Sequence, residues 1–179
     1  AFLTWTKDYG EDLPQDIKES VGKIKQLFPW LQSEEEQASS NLDLLFASTS
    51  TQSLWSQLQP FIPADVQKIR GVSAYFDQSL GLIKQLQTLN PQSIHIGIQK
   101  DRVQAPAQLV SLDGVSVVES SFLSEKGKSQ DYIHAKLLNF ESTDQQVLIS
   151  GSANLSAPAW LAQGENANAE AIIVRSDAD

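Results

Sequence analysis

Two of the residues best suited to covalent chemistry in this chain lie two positions apart inside an apolar run. They are His134 and Lys136, in Tyr132-Ile133-His134-Ala135-Lys136-Leu137-Leu138. Side chains two apart on a strand share a face. The imidazole and the ammonium are therefore expected to point into one site, with Leu138 below them and Ile133, Ala135 and Leu137 packed on the other side. Gly151-Ser152-Ala153-Asn154 and then Asn168-Ala169-Glu170 follow, adding a hydroxyl, a carboxamide and a carboxylate. This set suits displacement at an anionic centre such as a phosphodiester. An anion repels nucleophiles, so a site must neutralise it and supply a group that attacks, leaves again and trades protons near neutral pH. Imidazole is the side chain suited to all three tasks.

The elements needed to position these groups are also legible. A polar turn centred on Ser142-Thr143-Asp144 separates the His134 run from a second apolar run, Val147-Leu148-Ile149. That second run ends in a small-residue corner that delivers Ser152 and Asn154. The expected arrangement is a hairpin whose ends meet at one anionic ligand.

In order and spacing the pattern resembles the phospholipase D superfamily, marked by His-x-Lys, an acidic residue a little further on, and Gly-Ser-x-Asn. The matching residues are His134, Lys136, Gly151, Ser152 and Asn154, with a strand-turn-strand pattern between them. Glu141 stands five residues after the lysine, where the family often has Asp, and the gap from there to the glycine is three residues longer than usual. The tyrosyl-DNA phosphodiesterase branch lacks that aspartate too. Within this resemblance His134 is the nucleophile and forms a phosphohistidine, while Lys136 and Asn154 hold the non-bridging oxygens as charge develops. The Ser152 hydroxyl and the amides near Gly151 add donors. The resemblance also makes Glu170 an acidic partner that holds His134 in the required tautomer. This scheme needs no metal and no cofactor, and the sequence offers no usual metal nest: no Cys, only two His, and no Asp/Glu cluster at ligand spacing.

Other candidates read differently. His95, in Ser93-Ile94-His95-Ile96-Gly97-Ile98, is expected to be a strand residue packed beneath a helix, sharing its face with Gly97 and Gln99. Trp160 reads as the apolar anchor of a helix beginning near Ser156, with a stacking wall for substrate as the lesser reading. Lys126 and Lys128, just before the catalytic strand, are expected to be solvated; contact with a substrate phosphate is the alternative worth testing.

Along the rest of the chain, residues 14–32 have helical spacing, with Ile17, Val21, Ile24, Leu27 and Phe28 on one stripe and Pro14 suited to a first turn. Glu34-Glu35-Glu36 through Ser40 is a polar connector. Leu42–Phe46 is a strand, Ser53–Leu58 a short helix ended before Pro60, Ile69–Phe76 a buried-type strand and Gln78–Leu89 an amphipathic helix. Ser93–Ile98 and Val115–Val118 are further strands. The alternation predicts an α/β fold: a mixed, mainly parallel sheet flanked by helices, phospholipase D-like, with an N-terminal helical segment. The expected division is 1–40 for that segment and its connector, and 41–179 for a catalytic domain that forms one half of a two-motif site.

With 179 residues and 41% hydrophobic content the chain can bury one good core. The absence of cysteine excludes a disulfide framework. No apolar stretch reaches the length of a membrane span, and the expected location is cytoplasmic. Without any Met, the chain is expected to be a processed product or a piece of something longer. The net charge of −9 opposes a simple nucleic-acid story. Residues 1–40, however, hold eight acids against four lysines, so they contribute −4 and leave −5 for the remainder. An acidic balance implies slower, salt-sensitive encounter with a polyanion rather than incapacity.

There is one copy of the motif and no internal repeat. The family's reaction places two histidines on opposite sides of phosphorus, one attacking while the other protonates the leaving oxygen. The second imidazole must therefore come from an identical chain in a homodimer, or from a missing first half of a longer enzyme. The motif wording is similar to that of nuclease and DNA-processing members, which implies a nucleic-acid phosphodiester, DNA foremost, as substrate. Phospholipid hydrolysis or headgroup transfer is the alternative within enzymes, weakened because no basic amphipathic helix is present. A non-catalytic dimerisation or nucleic-acid-positioning module is the alternative outside them.

Overall fold

Residues 14–27, 42–47, 52–99, 102–119 and 132–178 are described by the computed structural model. The chain divides into two units, Ala1–Ser40 and Asn41–Asp179. In the first, α1 (Gln15–Leu27) starts directly after Pro14, with Asp16 in its first turn where a carboxylate favours the helix dipole. The expected continuation to residue 32 lies outside the described residues.

The second unit is built on seven strands: β1 (Leu42–Ala47), β2 (Lys68–Val72), β3 (Ser93–Ile98), β4 (Val115–Glu119), β5 (Leu137–Glu141), β6 (Gln145–Gly151) and β7 (Glu170–Ala178). They form one sheet in the order β1-β7-β6-β5-β2-β3-β4. Among the described residues three short helices accompany it: α2 (Leu54–Leu58), α3 (Gly81–Gln87) and α4 (Ala157–Trp160).

The architecture is mixed α/β as expected, but the expectation of a mainly parallel sheet is corrected. Only β2–β3 and β3–β4 run parallel; β5 pairs antiparallel with both β2 and β6, and β7 antiparallel with both β6 and β1. The cause is connection length. Residues 142–144 span β5 to β6, too few for a crossover, so that pair must be antiparallel. The β2–β3 connection carries α3 and can return the chain in the same direction. The strand expected through Phe76 stops at Val72, and Tyr75 and Phe76 make isolated bridges to Gln104 and Leu155 instead.

Alternation places the core on one face of the sheet. Ile69, Ile94, Ile96, Leu138, Phe140, Val147, Ile149, Ile172 and Val174 are buried and lie in register with one another across the strands. Against them pack Leu54, Trp55 and Leu58 of α2, Leu82, Ile83 and Leu86 of α3, and Ala159 and Trp160 of α4. The other face carries Arg70, Asn139, Leu148 and Ile173, with Leu148 43% and Ile173 42% exposed. His95 lies on that face, half-buried, with Nε2 3.1 Å from Ser93 Oγ. No helix among the described residues is long and apolar enough to cross a membrane.

Antiparallel pairing also gathers the site. Val72 stands opposite Leu137, Leu137 opposite Ser150, and Gly151 opposite Ile172. Residues just after β2 and β6 therefore emerge at the same sheet edge as residues just before β5 and β7.

Candidate active site

His134 and Lys136 sit not within the strand but in the extended lead-in to β5, which begins at Leu137. The lead-in is anchored by the buried Gln99, whose Oε1 accepts the Ile133 amide at 2.9 Å. His134 is exposed and Lys136 half-buried. The Lys136 ammonium donates to the His134 carbonyl at 3.2 Å, which puts its charge beside the histidine. Of the packing partners expected around this pair, Leu138 is buried as foreseen, whereas Leu137 is 37% exposed.

The imidazole is framed by two tyrosines. Tyr132 stacks on it with centroids 5.6 Å apart and planes inclined by 24°, and Tyr75 meets it edge-on at 6.3 Å and 90°. Tyr75 follows β2 and is joined through Ser73 to the corner after β6. The buried Ser73 hydroxyl lies 2.9 Å from the Tyr75 carbonyl and 3.3 Å from Asn154 Oδ1, and it accepts the Leu155 amide at 3.1 Å. Asn154 is half-buried, and its carbonyl accepts Trp160 Nε1 at 2.9 Å and the Ser156 amide at 2.7 Å. Trp160 is thus the buried anchor that was expected and also a direct brace for Asn154.

At the same corner the Ser152 hydroxyl donates to one oxygen of the buried Glu170 carboxylate and accepts the Ala171 amide at 3.0 Å. The other Glu170 oxygen accepts from the Asn168 side chain at 3.1 Å. Both oxygens thus serve the corner, and among the described residues no hydrogen bond joins Glu170 to His134. Gly151 lies so close to β7 that an added Cβ would meet Ile172 Cα at 2.8 Å.

Glu141 belongs to the far end of β5. It pairs with Arg70 and, at 3.9 Å, with Lys68, and it accepts from the Asn139 amide at 3.1 Å. The two ion pairs bind β5 to β2, at the opposite end of β5 from Lys136. Lys126 and Lys128 lie outside the described residues. No group of three or more His, Cys, Asp or Glu that could hold a metal occurs among the described residues.

The sequence reading missed Ser73, Tyr75 and Gln99. Each follows a strand's end by three residues or fewer, and that position is the one signal available, since their partners lie far away in sequence.

This edge is an exposed imidazole with a cation, a carboxamide and a hydroxyl–carboxylate pair gathered on one rim of a mixed sheet. No protein-family model matches the chain, and no curated protein matches it. Among solved structures, NucT from Helicobacter pylori superposes with a TM-score of 0.53 at 14% identity, over 76% of this chain and 84% of NucT. The fold is phospholipase D-like. A mutant of yeast tyrosyl-DNA phosphodiesterase 1 aligns at 14% identity with a TM-score of 0.47, over 74% of this chain and 31% of that protein, so the chain spans about a third of that enzyme. In the phospholipase D-like sheet described here, the motif residues occupy the rim formed by the ends of β2 and β6 and the starts of β5 and β7.

Proposed function

We propose that the chain is a metal-independent phosphodiesterase acting on nucleic acid, DNA foremost, through a phosphohistidine. The observation that carries this reading is the emergence of His134, Lys136, Asn154 and the Ser152–Glu170 pair at one rim of a phospholipase D-like sheet, with His134 exposed. A ring nitrogen of His134 attacks phosphorus and the bond to the leaving oxygen breaks. A second imidazole gives that oxygen its proton. Water then attacks the phosphohistidine, the second imidazole takes the water's proton, and the phosphorus–nitrogen bond breaks. Lys136 and Asn154 hold the non-bridging oxygens as charge develops. Glu170 acts through Ser152, keeping the corner that presents Asn154 in place.

The second imidazole comes from a second motif copy, in a homodimer or in another part of a longer chain. Solution mass of the full-length gene product separates these sources. The activity itself is tested by incubating labelled DNA, labelled RNA and phosphatidylcholine with the protein in excess EDTA. Cleavage of nucleic acid that survives chelation and disappears in His134→Ala supports the reading. Turnover of the lipid alone would replace the substrate, and cleavage untouched by His134→Ala would end the mechanism.

A further inference from the structure

The two tyrosines around His134 are unusual in being fixed and yet open. Tyr132 stacks on the imidazole, Tyr75 meets it edge-on, and they arrive from opposite sides of the β2–β5 junction. The Tyr75 hydroxyl is the main cause pushing the Tyr132 phenol above its ordinary value of 10.0. Even so, Tyr75 remains 46% and Tyr132 45% exposed. Large aromatic rings normally gain by burial, and a pair gathered on one imidazole while left wet is a prepared aromatic surface. It stands against the exposed imidazole, on the rim that also carries Lys136.

We propose that Tyr75 and Tyr132 form a nucleobase subsite, on which an unpaired base next to the scissile phosphate stacks, so that the site takes unstacked strands in preference to intact duplex. The position of the phosphate rests on the phosphodiesterase reading; the stacking does not. A base within a duplex has both faces covered by its neighbours, whereas a base in a single strand, a frayed end or a loop offers a free face. Stacking is indifferent to base identity, because every base has such a face. The charge balance points the same way. At a net charge of −9, attraction to the sugar-phosphate backbone supplies less of the affinity than in a basic binder. Aromatic stacking then carries a larger share.

The test compares single-stranded oligonucleotides that are identical except at one position, which carries 2-aminopurine or no base, by fluorescence anisotropy and 2-aminopurine quenching with the full chain. The base-bearing strand is expected to bind roughly tenfold tighter than the abasic one and to lose fluorescence on binding. Tyr132→Ala should bring the base-bearing strand down to the affinity of the abasic strand and abolish the quenching, whereas Tyr132→Phe, which keeps the ring face, should retain both. Equal binding of the two strands by the unaltered protein overturns the subsite, as does an equal loss for both strands in Tyr132→Ala. Cleavage of the same strands in EDTA reports on the phosphodiesterase reading separately. Base-dependent binding without cleavage would sink that reading and leave the subsite standing.

Discussion

The Ser73 hydroxyl and the Asn154 side-chain carbonyl lie 3.3 Å apart although 81 positions separate them in the chain. Ser73 closes the end of β2 and Asn154 the corner after β6, so this contact joins the two halves of the rim on which the candidate chemistry depends. The same hydroxyl accepts the buried Leu155 amide. Ser73→Ala would leave that amide without its partner, and a buried donor left unmade costs about 1–3 kcal/mol. Urea unfolding should show a loss in that range, and phosphodiesterase activity should fall further than the stability loss explains, because Asn154 is released.

Gly151 and Gly71 make a matched pair of glycine tests. A Cβ at Gly151 meets the backbone of β7, whereas one at Gly71 meets chiefly the end of the Leu155 side chain at 2.9 Å. Backbone cannot step aside as a leucine methyl can. Gly151→Ala is therefore expected to cost about 1–3 kcal/mol, as overpacking does, and Gly71→Ala less. Thermal denaturation of the two variants side by side checks the order.

Asp77 ties α3 to α4: its carboxylate accepts the Gly81 amide at 3.0 Å, the Ala157 amide at 2.7 Å and the Ser79 hydroxyl. Partial burial pushes its pKa up, but the bonds from Ser79, Gly81 and Ala157 together outweigh that and hold it below 3.8. A carboxylate with a lowered folded-state pKa contributes stability that is present above the unfolded value and is lost as pH falls through the folded one. Unfolding free energy should therefore decline below about pH 4, and Asp77→Asn should remove part of that decline. At neutral pH, Asp77→Ala should cost roughly 0.5–2 kcal/mol, as loss of a helix cap does.

Two buried tryptophans differ in one bond. Trp160 Nε1 donates to the Asn154 carbonyl, whereas Trp55 Nε1 has no hydrogen-bond partner among the described residues. Phenylalanine removes the indole donor from each. Trp160→Phe is expected to be more destabilising than Trp55→Phe by about 1 kcal/mol, the net worth of a hydrogen bond, and Trp160→Phe alone should lower activity. Chemical denaturation of both variants would reveal the difference, and equal losses would mean that the indole bond contributes nothing.

For Lys136, removal of a donor to developing charge should lower turnover by about 10²–10³. Lys126→Ala and Lys128→Ala should have smaller effects. Steady-state cleavage rates in EDTA for the three variants provide the comparison, and equal losses would move the phosphate away from Lys136.

Much of this protein was readable one residue at a time. The alternation in Ser93–Ile98 placed β3 and the break at Ser142-Thr143-Asp144 placed the β5–β6 hairpin, because periodicity and turn chemistry act over a few neighbours, while the resemblance carried by His134, Lys136, Ser152 and Asn154 named the candidate site residues. Direction and partnership did not follow from such short-range signals. Asn168-Ala169-Glu170 reads only as a motif in the sequence, yet Glu170 opens a nine-residue strand inserted between β1 and β6.

Strand neighbours are selected by burying one shared face of the whole sheet, and that selection couples residues about 80 positions apart. Only the folded sheet decided that Glu170 serves Ser152, that Ser73 holds Asn154, and that Tyr75 meets His134. Each of those pairs is created by antiparallel register at the rim, a property of strands meeting in space that no local stretch of sequence contains.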